Sequence, residues 1–90
     1  MHYALNNIHN GSALVEVFLV KIGTNLKRLR FDHDDISQQA LANAIGVTRL
    51  TIHSIENGKF VPSTLLALKL ARFFEKSVED IFYIVDDEQV

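Results

Sequence analysis

The chain has 90 residues, 48% of them hydrophobic and 22% charged, with a formal net charge of -2 and no cysteine. That length describes one domain with a single small core, close to the size at which a helical domain gains from dimerising; without cysteine, a disulfide framework and a cysteine-ligated zinc are excluded, and a reducing cytoplasm is the expected compartment. Slight acidity alone weighs against a nucleic-acid partner, but the charges are not evenly spread: Lys27, Arg28 and Arg30 fall in one segment and Arg49 and Lys59 in another, while acids collect in "DHDD" (Asp32 to Asp35) and "DDE" (Asp86 to Glu88).

Residues 1–12, "MHYALNNIHNGS", are polar and expected to be loosely held. The apolar run "ALVEVFLV" that follows is too short to span a bilayer, carries Glu16, and lacks both a basic flank and a small-residue cleavage site, so it reads as neither signal peptide nor membrane segment. Its β-branched and aromatic residues make 13–22 a strand extension. The first helix runs from Asn25 to about Phe31 with Thr24 as expected N-cap and with Leu26 and Leu29 on one face. In "ISQQALANAIG", Ser37 caps the start, Ala40, Leu41, Ala44 and Ile45 form the expected buried stripe, and Gly46 supplies a left-handed stop. Thr48 caps a third helix that ends at Asn57-Gly58. Pro62-Ser63 opens the fourth, "TLLALKLARFFE", in which Leu66, Leu70 and Phe74 recur every fourth residue and Ala67 and Ala71 allow close approach. Ser77 with Asp80 reads as a capping-box variant before a short fifth helix, "VEDIF". Residues 83–90 form a C-terminal strand and acidic tail. The fold class is therefore mainly α, with a small antiparallel β element made by "VEVFLVKI" and "FYIVD". Such a sheet leaves an open edge or face. A symmetric dimer would cover it, and packing within one chain is the alternative.

Only "GVT" separates helices two and three, which forces the sharp corner of a helix-turn-helix. On a wheel of about 100° per residue, Ile52 and Ile55 point one way, with Val47 beside them, and Leu50, His53 and Ser54 point roughly the other, with Arg49 and Thr51 on the flanks. A helix docked by β-branched residues and displaying a guanidinium, hydroxyls and one aliphatic group suits the DNA major groove, where Arg reads guanine O6/N7 and an aliphatic side chain meets a thymine methyl. Any solvated surface helix also turns polar residues outward. Leu50 tips the balance slightly toward the first reading, because burial does not demand a leucine on that side.

From Leu26 to Phe82 the chain resembles the Cro/cI-type (Xre-like) helix-turn-helix regulators: "NLKRLR", "SQQALANAIGVTRLTIHSIENGK", "PS" and "SVEDIF" occur in that family's order, over nearly two-thirds of the sequence. The resemblance implies a five-helix lambda-repressor-like domain spanning 23–82. It implies a Gln38 that meets a DNA phosphate and braces the recognition helix, base contacts from Arg49, Leu50 and Ser54, and backbone contacts from Thr48, Thr51, His53, Asn57 and Lys59. It also implies a structural ion pair between Arg30 and Glu56. Short polar side chains suit phosphate oxygens, which fix register without reading sequence. The chain departs from the family in the "FDHDDI" turn, one residue longer than usual and without the common glycine, in Leu50 where a polar residue is frequent, and in the added apolar N-terminal run.

His2, His9, His33 and His53 have no metal-ligand spacing, and an acidic turn such as "DHDD" is far more often solvated than metal-bound, so neither a metal nor another cofactor is expected. No glycine-rich phosphate loop, nucleophile elbow or triad appears, and no enzyme is read here. The leading function is a DNA-binding transcription regulator, acting as a homodimer on a palindromic operator in double-stranded DNA and repressing by occluding the promoter. An antitoxin, partnered by a toxin, or a restriction-modification controller shares the fold and size. A protein-interaction module that does not bind DNA is the competitor from another class; net acidity and Leu50 favour it, and Gln38, Arg49, Asn57 and Lys59 oppose it. With only "IVDDEQV" after the last family element, control by a small molecule within this chain is not expected.

Overall fold

Short polar side chains placed before apolar turns set the helix starts of this protein. In the computed structural model, which describes residues 20–86, Ser37, Thr48, Ser63 and Ser77 each sit in extended backbone and accept from the backbone N–H three residues on. They open α2 (Gln38–Ile45), α3 (Arg49–Glu56), α4 (Thr64–Phe74) and α5 (Val78–Ile81), and a cap of this kind is worth about 1 kcal/mol. Ser77 and Asp80 complete the reciprocal capping box, with Ser77 N–H donating back to Asp80 Oδ2 at 3.2 Å.

Helix α1 (Leu26–Asp32) corrects one expectation: its N-cap is Asn25, and Thr24 ends the preceding strand. The Thr24 hydroxyl still accepts from the Leu26 N–H at 3.1 Å, and it donates to the Ile81 carbonyl at 3.0 Å. The Asn25 side chain makes no capping bond and donates to the Asp80 carbonyl instead. The same two residues, Thr24 and Asn25, thus start α1 and tie it to the end of α5.

Strands β1 (Val20–Thr24) and β2 (Phe82–Asp86) pair antiparallel, with Ile22 opposite Ile84 and Gly23 opposite Tyr83. The remainder of the expected 13–22 strand and the 1–12 segment lie outside the described residues. Glycine at 23 has a steric cause, since a Cβ there would collide with the Tyr83 ring lying across it. Phe82 leans on the core, whereas Ile22, Tyr83, Ile84 and Val85 keep substantial exposure, 67% for Ile84.

The core is built from Leu26, Leu41, Ala42, Ile45, Ile52, Ile55, Leu66, Leu70, Ala71, Phe74 and Ile81, so every helix contributes to it. In α2 the buried stripe is Leu41, Ala42 and Ile45; Ala40 and Ala44 are exposed, contrary to expectation. Alanine offers too little contrast to tell which flank of Leu41 and Ile45 packs inward, and contact with α3 and α4 selects Ala42. Gly46, at φ 83°, ends α2 in left-handed backbone and lets Val47 and Thr48 turn the chain at once into α3. The longer α1–α2 turn reaches the same backbone region without glycine: Asp34 and Asp35 stand at φ 58° and 53°, which short polar side chains tolerate best among non-glycine residues.

Candidate nucleic-acid interface

Helix α3 is held from behind. Ile52 and Ile55 are buried against the core and Val47 packs beside them, so the side opposite is presented outward. Arg49, Leu50 and His53 are exposed on it, Leu50 by 62%, and Thr51 and Ser54 are half-buried at its margins.

Local bonds order the rim of that face. The Thr48 hydroxyl accepts from the Thr51 N–H at 3.2 Å and lies 3.0 Å from the Thr51 hydroxyl. One turn later Asn57 Nδ2 and His53 Nε2 lie within hydrogen-bond distance, 3.0 Å apart. Gly58, at φ 72°, closes the helix, and the Lys59 N–H returns to the Ser54 carbonyl at 2.9 Å, leaving the Lys59 side chain exposed at the helix end.

Under the face lies a chain of polar contacts joining three helices. Arg30 of α1 donates through Nε to Glu56 Oε2 at 2.6 Å and through Nη2 to Oε1 at 3.1 Å, while its Nη1 donates to the Ile36 carbonyl at 2.8 Å. The two side chains retain only 12% and 4% of their exposure. Gln38, first residue of α2, donates from Nε2 to Glu56 Oε1 at 2.9 Å, and its Oε1 accepts from Arg49 Nη1 at 3.1 Å. Burial pushes the Glu56 carboxyl up, but the hydrogen bonds from Arg30 and Gln38 and the charges of Arg30 and Lys27 outweigh it and hold the group below the ordinary carboxylate range. Its hydrogen bond to Glu56, against an opposing effect of burial, keeps the Arg30 guanidinium firmly charged. The pair is an ion pair in the folded protein.

The bonds Gln38–Glu56, Arg30–Ile36 and His53–Asn57 were not read from the sequence. The last had a signal, since residues four apart on a helix share a face. The other two depend on how α1, α2 and α3 meet. Among the described residues there is no group of three or more His, Cys, Asp or Glu side chains that could hold a metal, and no described helix is long and apolar enough to cross a membrane.

Two helices joined by a three-residue corner, the second presenting a polar face with a braced arginine at its start, define a helix-turn-helix. Residues 26–81 match the family described as Helix-turn-helix. The chain is 49% identical over 63 residues to an uncharacterized HTH-type transcriptional regulator of Methanocaldococcus jannaschii, covering 70% of this chain and 94% of that protein. It is 43% identical over 60 residues to the uncharacterized HTH-type transcriptional regulator YgzD of Bacillus subtilis, covering 67% and 86%. Over 69 residues it is 30% identical to the control protein C.MunI of a Mycoplasma species, covering 77% and 93%. The protein belongs to the Xre/Cro-like helix-turn-helix family of DNA-binding transcription regulators.

Proposed function

We propose that this protein is a transcriptional repressor that binds a palindromic operator as a homodimer and lays α3 in the major groove. The observation that carries the reading is the exposed face of α3, where Arg49 and Leu50 stand on a helix locked from behind by Ile52 and Ile55. Arg49, Leu50 and Ser54 meet base edges; Gln38, Thr48, Thr51, His53, Asn57 and Lys59 meet the sugar-phosphate backbone. The α1 cation Lys27, whose charge acts on Glu56, adds positive potential to the same side, whereas Arg28 is paired with Asp32 on its own helix at 3.1 Å. Dimerisation draws on the apolar ribbon of Ile22, Tyr83, Ile84 and Val85, and on the open groove of about 370 Å³ beside it, lined by Ile22, Phe60, Val61, Pro62 and Phe82 among others. Two copies would place their recognition helices about 34 Å apart, one turn of DNA.

The likeness to a control protein favours a second reading, a restriction-modification controller, which uses the same interface on its own operon's promoter. Footprinting on the DNA upstream of the gene, repeated across a salt series, tests both. A protected two-fold site whose affinity falls by orders of magnitude between about 50 and 200 mM salt is expected if six to ten phosphates are neutralised. Absence of binding to any genomic fragment at low salt, or a monomer in sedimentation at tens of micromolar, refutes the corresponding part.

A further inference from the structure

Glu56 is almost entirely buried and lies on the hidden margin of α3, yet it stands two bonds from the guanidinium at the front of the helix. A carboxamide has a donating end and an accepting end, whereas an ionised carboxylate only accepts and a guanidinium only donates. Glu56 therefore compels Gln38 to turn Nε2 inward, at 2.9 Å, and this leaves Oε1 outward for Arg49 Nη1, at 3.1 Å. Were the inner partner a donor, the carboxamide would rotate and set its N–H groups against the guanidinium. Arg30 holds the carboxylate in place with two bonds of its own, so the direction of the whole chain is set from α1.

From this we infer that Glu56 is a positioning residue for sequence recognition: acting through the Gln38 carboxamide, it fixes where the Arg49 guanidinium is held and so which base edge Arg49 reads. The inference rests on the proposal that Arg49 contacts a base. It also assigns the remaining chemistry of Gln38. With one Nε2 hydrogen given to Glu56 and Oε1 given to Arg49, the second Nε2 hydrogen is the donor left for a phosphate.

The test selects duplexes from a randomised pool with the wild-type protein, finds the position whose preference is lost in Arg49→Ala, and measures that preference by competition for three further variants. In Glu56→Gln the carbonyl keeps the shorter bond to Arg30 Nε and the N–H group takes the Oε1 position, where it opposes both Arg30 Nη2 and Gln38 Nε2 and turns the carboxamide; the preference at that position is expected to fall about tenfold with other positions unchanged, the scale of one bidentate base contact. In the exchanged pair Gln38→Glu with Glu56→Gln, the carboxylate at 38 accepts from both neighbours, and most of the preference returns. A lowered melting temperature with unchanged base preference in Glu56→Gln overturns the inference, because that is what a merely structural carboxylate would do. Gln38→Met leaves the Arg30–Glu56 pair intact, so it decides the matter if Glu56→Gln fails to fold: unchanged preference there also overturns it. Should Arg49→Ala weaken all sequences alike, the base-reading assignment itself falls, and proton NOEs in the DNA-free protein decide the positioning separately. Gln38 carboxamide protons close to the Glu56 methylenes in the wild type, and moved towards Arg49 in Glu56→Gln, support it; an unchanged pattern overturns it.

Discussion

Arg30→Met replaces a guanidinium that makes three hydrogen bonds, two to Glu56 and one to the Ile36 carbonyl, by a side chain of similar reach that makes none. Glu56 is left nearly buried with only Gln38 donating to it. Removing one partner of such a pair costs about 3 to 5 kcal/mol, because the other charge stays behind without compensation. A chain of this length has a total stability of about 5 to 13 kcal/mol, so the loss is a large part of it. At about 4 to 8 °C per kcal/mol for a domain of this size, the melting temperature should drop by at least about 12 °C at pH 7. The pH dependence changes too. In the wild type the folded-state Glu56 pKa is depressed, so its stabilisation is present above the ordinary glutamate range and is lost as pH falls below about 4, through the folded value. In Arg30→Met the hydrogen bond and charge by which Arg30 lowers that pKa are gone, so the pKa rises relative to the wild type, acidification costs the variant less and the gap narrows. Arg30→Met combined with Glu56→Met removes both charges and should recover most of the loss. Thermal melts of the three proteins from pH 3 to pH 7.5 make the comparison. A single variant as stable as the wild type at pH 7, or single and double variants equally destabilised at every pH, would refute the account of Glu56 as a buried charge needing Arg30.

Arg49→Ala should cost about 1 to 3 kcal/mol at the cognate operator and relax one base position, measured by competition between operator and random duplexes. Lys59→Ala should weaken binding to all sequences alike and reduce the slope of affinity against salt by about one. Ile52→Ala empties space behind α3, where the side chain is fully buried, and should lower stability by about 2 to 5 kcal/mol in urea denaturation; unchanged stability would place Ile52 outside the core. Gly46→Ala meets no neighbour within 4 Å, so any loss, expected at about 1 kcal/mol, comes from its φ of 83° alone, and a neutral result in the same assay would remove that strain argument.

Helix starts were legible because their cause is local. A serine or threonine three residues before its N–H partner needs no knowledge of the rest of the chain, and Ser37, Thr48, Ser63 and Ser77 all act as read. At Thr24 a distant partner intervenes: pairing with Phe82 carries the strand through it, so the helix begins one residue later although the hydroxyl still accepts from the Leu26 N–H. The choice between Ala42 and its neighbours Ala40 and Ala44 belongs to the packing of α2, and alanine carries no pattern to announce it. The candidate site divides along the same line. The outward position of Arg49, Leu50 and His53 followed from helical periodicity, while the role of Gln38 as the link between Glu56 and Arg49 depends on how α2 meets both ends of α3, across 18 and 11 residues of sequence.

The register of the sheet has a mechanical consequence. Val20 pairs with Asp86 and Thr24 with Phe82, so the chain enters and leaves the described domain at the same tip of the ribbon. A pull on the two ends loads the ladder from that tip, opening the cross-strand bonds one rung after another instead of shearing them together. The rungs part towards Thr24 and Asn25, whose three bonds to Asp80 and Ile81 form the next point of resistance. In a single-molecule pulling trace the ribbon should yield first, at low force, and the helical body afterwards in a separate, larger event.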